Sequence, residues 1–121
     1  YRDKLPKFNN GRTEEQKGKM IFNWFEWKRD NSKVYPKIHP TQKPISLLKR
    51  LIEIFTDEWD VVIDPVAGSA STLRACAETG RNGYGFEIKK DFYNQAKEKM
   101  ISDNILNGIM EDGQVTFEAL I

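Results

Sequence analysis

Cysteine and histidine are almost absent from this chain. Cys76 is the only cysteine in 121 residues, so no disulfide can form within the chain, as suits a reducing cytoplasm. His39 is the only histidine, which excludes a two-histidine metal centre, and no metal is expected. No apolar run approaches the ~20 residues of a membrane span, and no signal peptide is visible, so no membrane partner is expected. The five prolines never stand next to one another. There is no internal repeat, no low-complexity tract, and no G-x-G-x-x-G for a dinucleotide pyrophosphate.

What is present is a globular composition, with 39% hydrophobic residues and three tryptophans. The net charge of +1 hides an asymmetry. Residues 1–50 carry 13 Lys/Arg against 5 Asp/Glu, and residues 51–121 carry 6 against 13. A basic front on an acidic back suits a nucleic-acid-contacting segment beside a catalytic scaffold, and equally a solvated basic surface.

The chain is organised around Val61-Val62-Ile63-Asp64-Pro65-Val66-Ala67-Gly68-Ser69-Ala70-Ser71-Thr72. The β-branched triplet predicts a buried parallel strand that stops at Asp64-Pro65. Small residues follow, and Leu73 to Glu78 reads as a helix ended by Gly80. Gly68 lets backbone approach a ligand, and the free N–H groups of the helix start face the cleft. Gly83-Tyr84-Gly85-Phe86-Glu87-Ile88 predicts a second strand, with Glu87 roughly 20 residues after the loop, where an acid accepts ribose hydroxyls in doubly wound folds. Asp64 and Glu87 are then neighbours at the carboxyl edge of a parallel sheet. Many units of this form bind nothing. With a single loop glycine, the ligand expected is a nucleoside without a pyrophosphate, such as S-adenosylmethionine (SAM).

Elsewhere the reading is coarser. Residues 1–19 predict loop, with dispersed lysines and arginines. Met20 to Trp27 is rich in strand formers, and Asp30-Asn31-Ser32 signals a turn. Trp24 and Trp27 beside Lys28 and Arg29 are candidates to stack on a base or grip a DNA backbone, although such a run serves equally as core or subunit interface. Lys37 to Pro44 is a loop by its prolines, with Pro44 placed to open a helix to Phe55. That helix has an apolar face of Ile45, Leu48, Ile52 and Phe55. Asp91 is a candidate N-cap for a helix whose packing face is Phe92, Ala96 and Met100, and 114–121 reads as a final edge strand. Cys76 reads as a small core residue.

Asp64 to Thr72 resembles the cofactor motif of the amino-methylating DNA methyltransferases, DPFxGSGTT, with Val66 in place of Phe and Ala70-Ser71 in place of Gly-Thr. His39-Pro40-Thr41-Gln42-Lys43-Pro44 matches the HPTQKP box that precedes it in the β-type order, and Gly85-Phe86-Glu87-Ile88 matches the next motif. The resemblance implies a partial Rossmann-like SAM-dependent methyltransferase fold, a mainly parallel sheet flanked by helices. It implies a SAM site built from Asp64, Pro65, Ala67, Gly68, Ser69, Ser71 and Thr72, with Glu87 on the ribose and Ile88 on the adenine. Thr41, Gln42 and Lys43 are expected near the carboxylate and ribose, and His39 to hold its loop by hydrogen bonds.

The same resemblance implies transfer of a methyl group to adenine N6 or cytosine N4 of double-stranded DNA, with the base flipped out, by a cytoplasmic enzyme encoded by a bacterium or a phage. The family's D/N/S-P-P-aromatic catalytic motif is not in these residues. The chain, which begins at Tyr1 and not Met, is therefore expected to be the C-terminal cofactor-binding part of a longer enzyme, inactive alone. Residues 1–38 are then the tail of the target-recognition region and a strand, 39–121 the SAM-binding part, and the parent a candidate homodimer or restriction-modification component. The alternatives are a degenerate SAM-fold module for DNA binding or dimerisation, and a dinucleotide-binding oxidoreductase domain.

Overall fold

A computed structural model describes residues 26–109 and 115–119. Helix α1 spans Ile45–Phe55, and strand β1, Val61–Asp64, leads through a six-residue loop into α2, Ser71–Glu78. Strand β2, Asn82–Glu87, is followed by α3, Lys90–Lys99, the short α4, Asp103–Asn107, and β3, Val115–Ala119. The strands lie in the order β1-β2-β3 and every pairing is parallel, with Asp64 opposite Gly85 and Gly85 opposite Phe117. The predicted last strand is thus present, and it has a single neighbour among the described strands.

In-register partners of a parallel pair share a face, which shows where the helices sit. A side chain at Gly83 or Gly85 would run into Cys76 and Leu73 of α2. Phe117, on the same face as Gly85, stacks on Tyr93 of α3 with ring centroids 4.7 Å apart. Both helices therefore cover one face of the sheet, and the core lies between. It gathers Leu73, Ala75 and Cys76 from α2, Ile45 and Ile52 from α1, and Ala96, Met100 and Phe117. Ala96 and Met100 are fully buried and Phe92 half-buried, as the helical spacing predicted.

Four expectations need correction. Val61 and Ile63 are 57% and 64% exposed, because alternation turns them away from α2, and no described element covers that face at these positions. Phe55 is 59% exposed while Ile54 is buried. At 3.6 residues per turn Phe55 falls about 80° from Ile45, on the margin of the apolar stripe, and it is the last helical residue. Asp91 is not the cap of α3: Lys89 occupies that position with no side-chain cap, and Asp91 lies in the first turn, facing the positive end of the helix dipole. Pro44 sits at the N-cap of α1, one residue before its first turn.

Two polar groups deep in the structure join the helices. Arg81 is 6% exposed, and its guanidinium donates to the carbonyls of Thr56 and Thr79, the residues that close α1 and α2. A cation placed there satisfies orphan carbonyls and meets the negative ends of both helices. Glu78 at the end of α2 accepts hydrogen bonds from Arg74, from Lys49 of α1 and from the Tyr35 hydroxyl. That last bond ties the segment before α1 to the helical layer.

Candidate functional site

The loop from β1 to α2 is shaped by its own backbone needs. Asp64 Oδ1 accepts the Val66 N–H at 3.1 Å, folding the chain back over Pro65, which has no N–H to give. Gly68 and Ala70 both have left-handed backbones, with φ of 54° and 59°. The Ala67 N–H donates to the Phe86 carbonyl at 2.9 Å, joining the loop to β2. The Gly68 N–H donates to Glu87 Oε2 at 2.8 Å. Ser69 and Ser71 share a buried hydroxyl–hydroxyl bond of 2.7 Å at the start of α2.

Ala70 is where three terms decide the outcome. A left-handed alanine costs about 1–2 kcal/mol, a glycine there would lose about 0.5–1 kcal/mol more chain entropy, and its buried methyl is worth about 0.8 kcal/mol. These nearly cancel, so Ala70→Gly should leave unfolding stability within about 0.5 kcal/mol in urea titration, whereas Ala70→Val should cost about 2 kcal/mol or more, since a β-branched residue tolerates this region worst.

The preceding loop comes to the same place. His39 Nδ1 accepts the Thr41 N–H at 3.2 Å and lies 3.0 Å from the Thr41 hydroxyl, and its ring packs on Phe92 at 4.4 Å. That is the loop-holding role expected of it. Gln42 shares this work in a way the sequence did not announce. It accepts the Ile38 N–H and donates to the Pro36 carbonyl, each at 3.0 Å. Asp30 also went unrecognised: both its oxygens accept the Ile45 N–H, so it caps α1 from 15 residues away.

These loops enclose a cleft of about 390 Å³ at the carboxyl ends of β1 and β2. Thr41, Gln42, Lys43, Asp64, Ala67, Gly68, Ser69, Ser71, Thr72, Glu87 and Ile88 all line it; of the cofactor candidates only Pro65 does not. His39, Leu48, Val66, Lys89 and Phe92 complete the wall. Val66 and Ile88 are 77% and 71% exposed, and so offer apolar surface to a ligand. Trp27 and Arg29 border a different cavity of about 300 Å³, with Tyr35 and Lys37, separated from the first by Gln42, which lines both. Lys28 is exposed outside it. Trp24 lies outside the described residues, as does most of the Met20–Trp27 run.

Cys76 faces neither cavity. It is fully buried against Gly83, and burial pushes its thiol up to about 11. Alkylation by iodoacetamide at pH 8 should therefore be negligible in the folded chain and complete in denaturant; rapid labelling of the native protein would show the site to be open.

A family model described as DNA methylase matches residues 2–98, most of the chain. The chain belongs to the DNA methylase family. Among relatives of this methylase chain, type II methyltransferase M.HpaI of Haemophilus parainfluenzae is 40% identical over 67 residues, covering 55% of this chain and 21% of the relative. DNA adenine methyltransferase YhdJ of Escherichia coli K12 is 44% identical over 54 residues, covering 45% and 18%. Among solved structures, the M1.HpyAVI–SAM complex superposes with a TM-score of 0.51 at 39% identity, covering 53% of this chain and 31% of that one. The methylase chain thus has the Rossmann-like α/β fold of that enzyme and spans about a fifth of the length of these curated relatives.

Proposed function

We propose that this chain is the SAM-binding part of a DNA methyltransferase that modifies the exocyclic amino group of adenine (N6) or cytosine (N4). The observation that carries the reading is the meeting of Asp64 and Glu87, at the ends of adjacent parallel strands, with the Gly68 loop and the Thr41–Lys43 turn around one cleft. Glu87 holds the ribose hydroxyls, Ile88 and Val66 wall the adenine, and Lys43 answers the methionine carboxylate. Asp64, Pro65, Ala67, Ser69, Ser71 and Thr72 shape the turn on which the methionine portion rests. Bound there, SAM would supply an electrophilic methyl group: the N–C bond to the base amino nitrogen would form as the sulfonium S–CH3 bond broke, with S-adenosylhomocysteine leaving and the amino group giving up one proton.

The target base needs acceptors for its amino protons and a ring to stack on, which a polar-Pro-Pro-aromatic segment supplies in the family. No Pro-Pro dipeptide occurs in these residues, and on this reading the chain holds the cofactor while another part of the parent enzyme holds the flipped base. Trp24, Trp27, Lys28 and Arg29 are assigned to double-stranded DNA, in residues 1–38 that close the recognition region. The parent works in the cytoplasm of a bacterium or on behalf of a phage, and a second copy of it is a candidate partner.

Calorimetric titration with SAM tests this, with NAD as the control ligand. Saturable SAM binding is expected, weakened roughly 10- to 150-fold in Glu87→Ala by loss of about 1.5–3 kcal/mol of charge-assisted hydrogen bonding. NAD binding in place of SAM would overturn the reading.

A further inference from the structure

Both carboxylate oxygens of Glu87 are engaged by the protein's own backbone. The side chain is 5% exposed, and each carboxylate oxygen accepts one backbone N–H at 2.8 Å: Oε2 from Gly68 in the loop, Oε1 from Lys89 at the start of α3. The Gly68 bond spans two elements and falls on a left-handed residue (φ 54°). Two residues later Ala70 takes the same conformation without being glycine. A backbone of this kind persists only where its surroundings dictate it. Two interactions from β2 do so, one from the Phe86 carbonyl to Ala67 and one from the Glu87 carboxylate to Gly68. Only the second comes from a side chain that also lines the cleft.

We infer that Glu87 is a positioning residue as well as a ligand contact: it sets the Gly68 turn before the cofactor arrives. A carboxylate offers about four lone-pair sites, and two N–H groups occupy half of them. The remaining two are free for a ribose diol, so the ligand adds to the clasp without breaking it. The loop is then prepared in advance, and binding does not have to order it. This assignment rests on the reading of the cleft as a SAM site, but the clasp is made by the chain's own groups and can be measured separately, without ligand.

The experiment has two arms on the full chain. In the first, hydrogen exchange of the Gly68 amide is followed by NMR in the ligand-free protein, in wild type and in Glu87→Gln, with the β2 amides as reference. Wild-type protection at Gly68 is expected, falling about tenfold or more when a charged acceptor is exchanged for an amide that cannot serve both N–H groups. In the second, wild type and Glu87→Gln are titrated with S-adenosylhomocysteine and with its 2′,3′-dideoxy analogue. Glu87→Gln should weaken both ligands, including the one with no hydroxyls to lose. If Gly68 exchanges at the free-peptide rate in wild type, or if Glu87→Gln affects only the ligand with hydroxyls, Glu87 is a ribose contact and nothing more. Should neither nucleoside bind, the cofactor reading fails and the Gly68 exchange still decides this one. Should Glu87→Gln not fold, wild-type exchange decides it alone.

Discussion

Glu78→Ala is expected to lower the unfolding free energy by about 3 kcal/mol at pH 7, the lower end of the range for stripping one partner from a buried charge cluster. Glu78 and Arg74 are each 12% exposed, with Arg74 Nε 2.7 Å from one carboxylate oxygen. Lys49 Nζ stands 3.0 Å from the other and is more open, at 34%. The Tyr35 hydroxyl donates to the same carboxylate at 2.8 Å. Deleting the carboxylate takes the shared acceptor from the Lys49 ammonium and the Tyr35 phenol, and leaves the Arg74 guanidinium with the Met100 carbonyl but no counter-charge.

The pH dependence follows. Burial pushes the Glu78 carboxyl up, but the hydrogen bonds from Arg74, Lys49 and Tyr35 outweigh it and hold the group below its ordinary value of 4.5. A depressed folded value means the contribution is fully present above about pH 4.5 and is lost as the pH falls through the folded value. The phenol is a donor throughout, since burial and the neighbouring Glu78 raise it to about 12. Urea titrations at pH 7 and pH 3 should therefore show a large gap between wild type and Glu78→Ala that narrows in acid. A gap of the same size at both pH values would mean that the cluster stabilises by packing and not by charge. SAM affinity should fall too, because Tyr35 anchors the segment whose far end, Thr41–Lys43, lines the cleft.

What the residues disclosed in advance was local. Strand, loop and helix from Val61 to Glu78 follow from β-branching, a proline that ends a strand, and a left-handed glycine after the helix, all within reach of neighbours in the chain. The placement of Asp64 and Glu87 follows as well, since parallel strands joined by one helix bring their carboxyl ends together. What was hidden was made by distant partners. Val61-Val62-Ile63 reads the same whether one face of a strand is covered or both. Asp30 is a turn residue by every local sign, and its service as a cap of α1 depends on the loop that carries it there. Arg81 looks like a surface charge after a helix-ending glycine; only the packed structure brings the carbonyls of two helices to its guanidinium. Glu87 reads from its neighbours as an acid offered to a ligand, and its two backbone bonds exist only through the folded loop and the start of α3.

The tightest coupling between fold and site runs through Gly85. Strand propensity alone favours Gly85→Val, by up to about 1 kcal/mol. Packing opposes it more strongly: a Cβ at this position would stand 2.7 Å from Leu73 Cδ1 and 3.1 Å from both Leu73 Cγ and Ala67 Cβ. Leu73 is fully buried, so moving it aside disturbs the core around it. Overpacking of this kind costs about 1–3 kcal/mol, and valine brings two further methyls, so a net loss of about 2–3 kcal/mol is expected in urea titration. The direction of relief matters for function. Ala67 is part of the loop, bonded to the strand at Phe86, and the Gly68 N–H next to it is held by Glu87. A shifted Ala67 therefore displaces the cleft wall, and SAM affinity should drop along with stability. The decisive variant is the double one. Leu73→Ala alone should cost about 2–5 kcal/mol as a core truncation, yet it vacates the space that the introduced valine needs. The pair should cost at least about 1 kcal/mol less than the sum of the singles. Additivity would show that α2 does not press on this strand, and that glycine stands here for the loop alone.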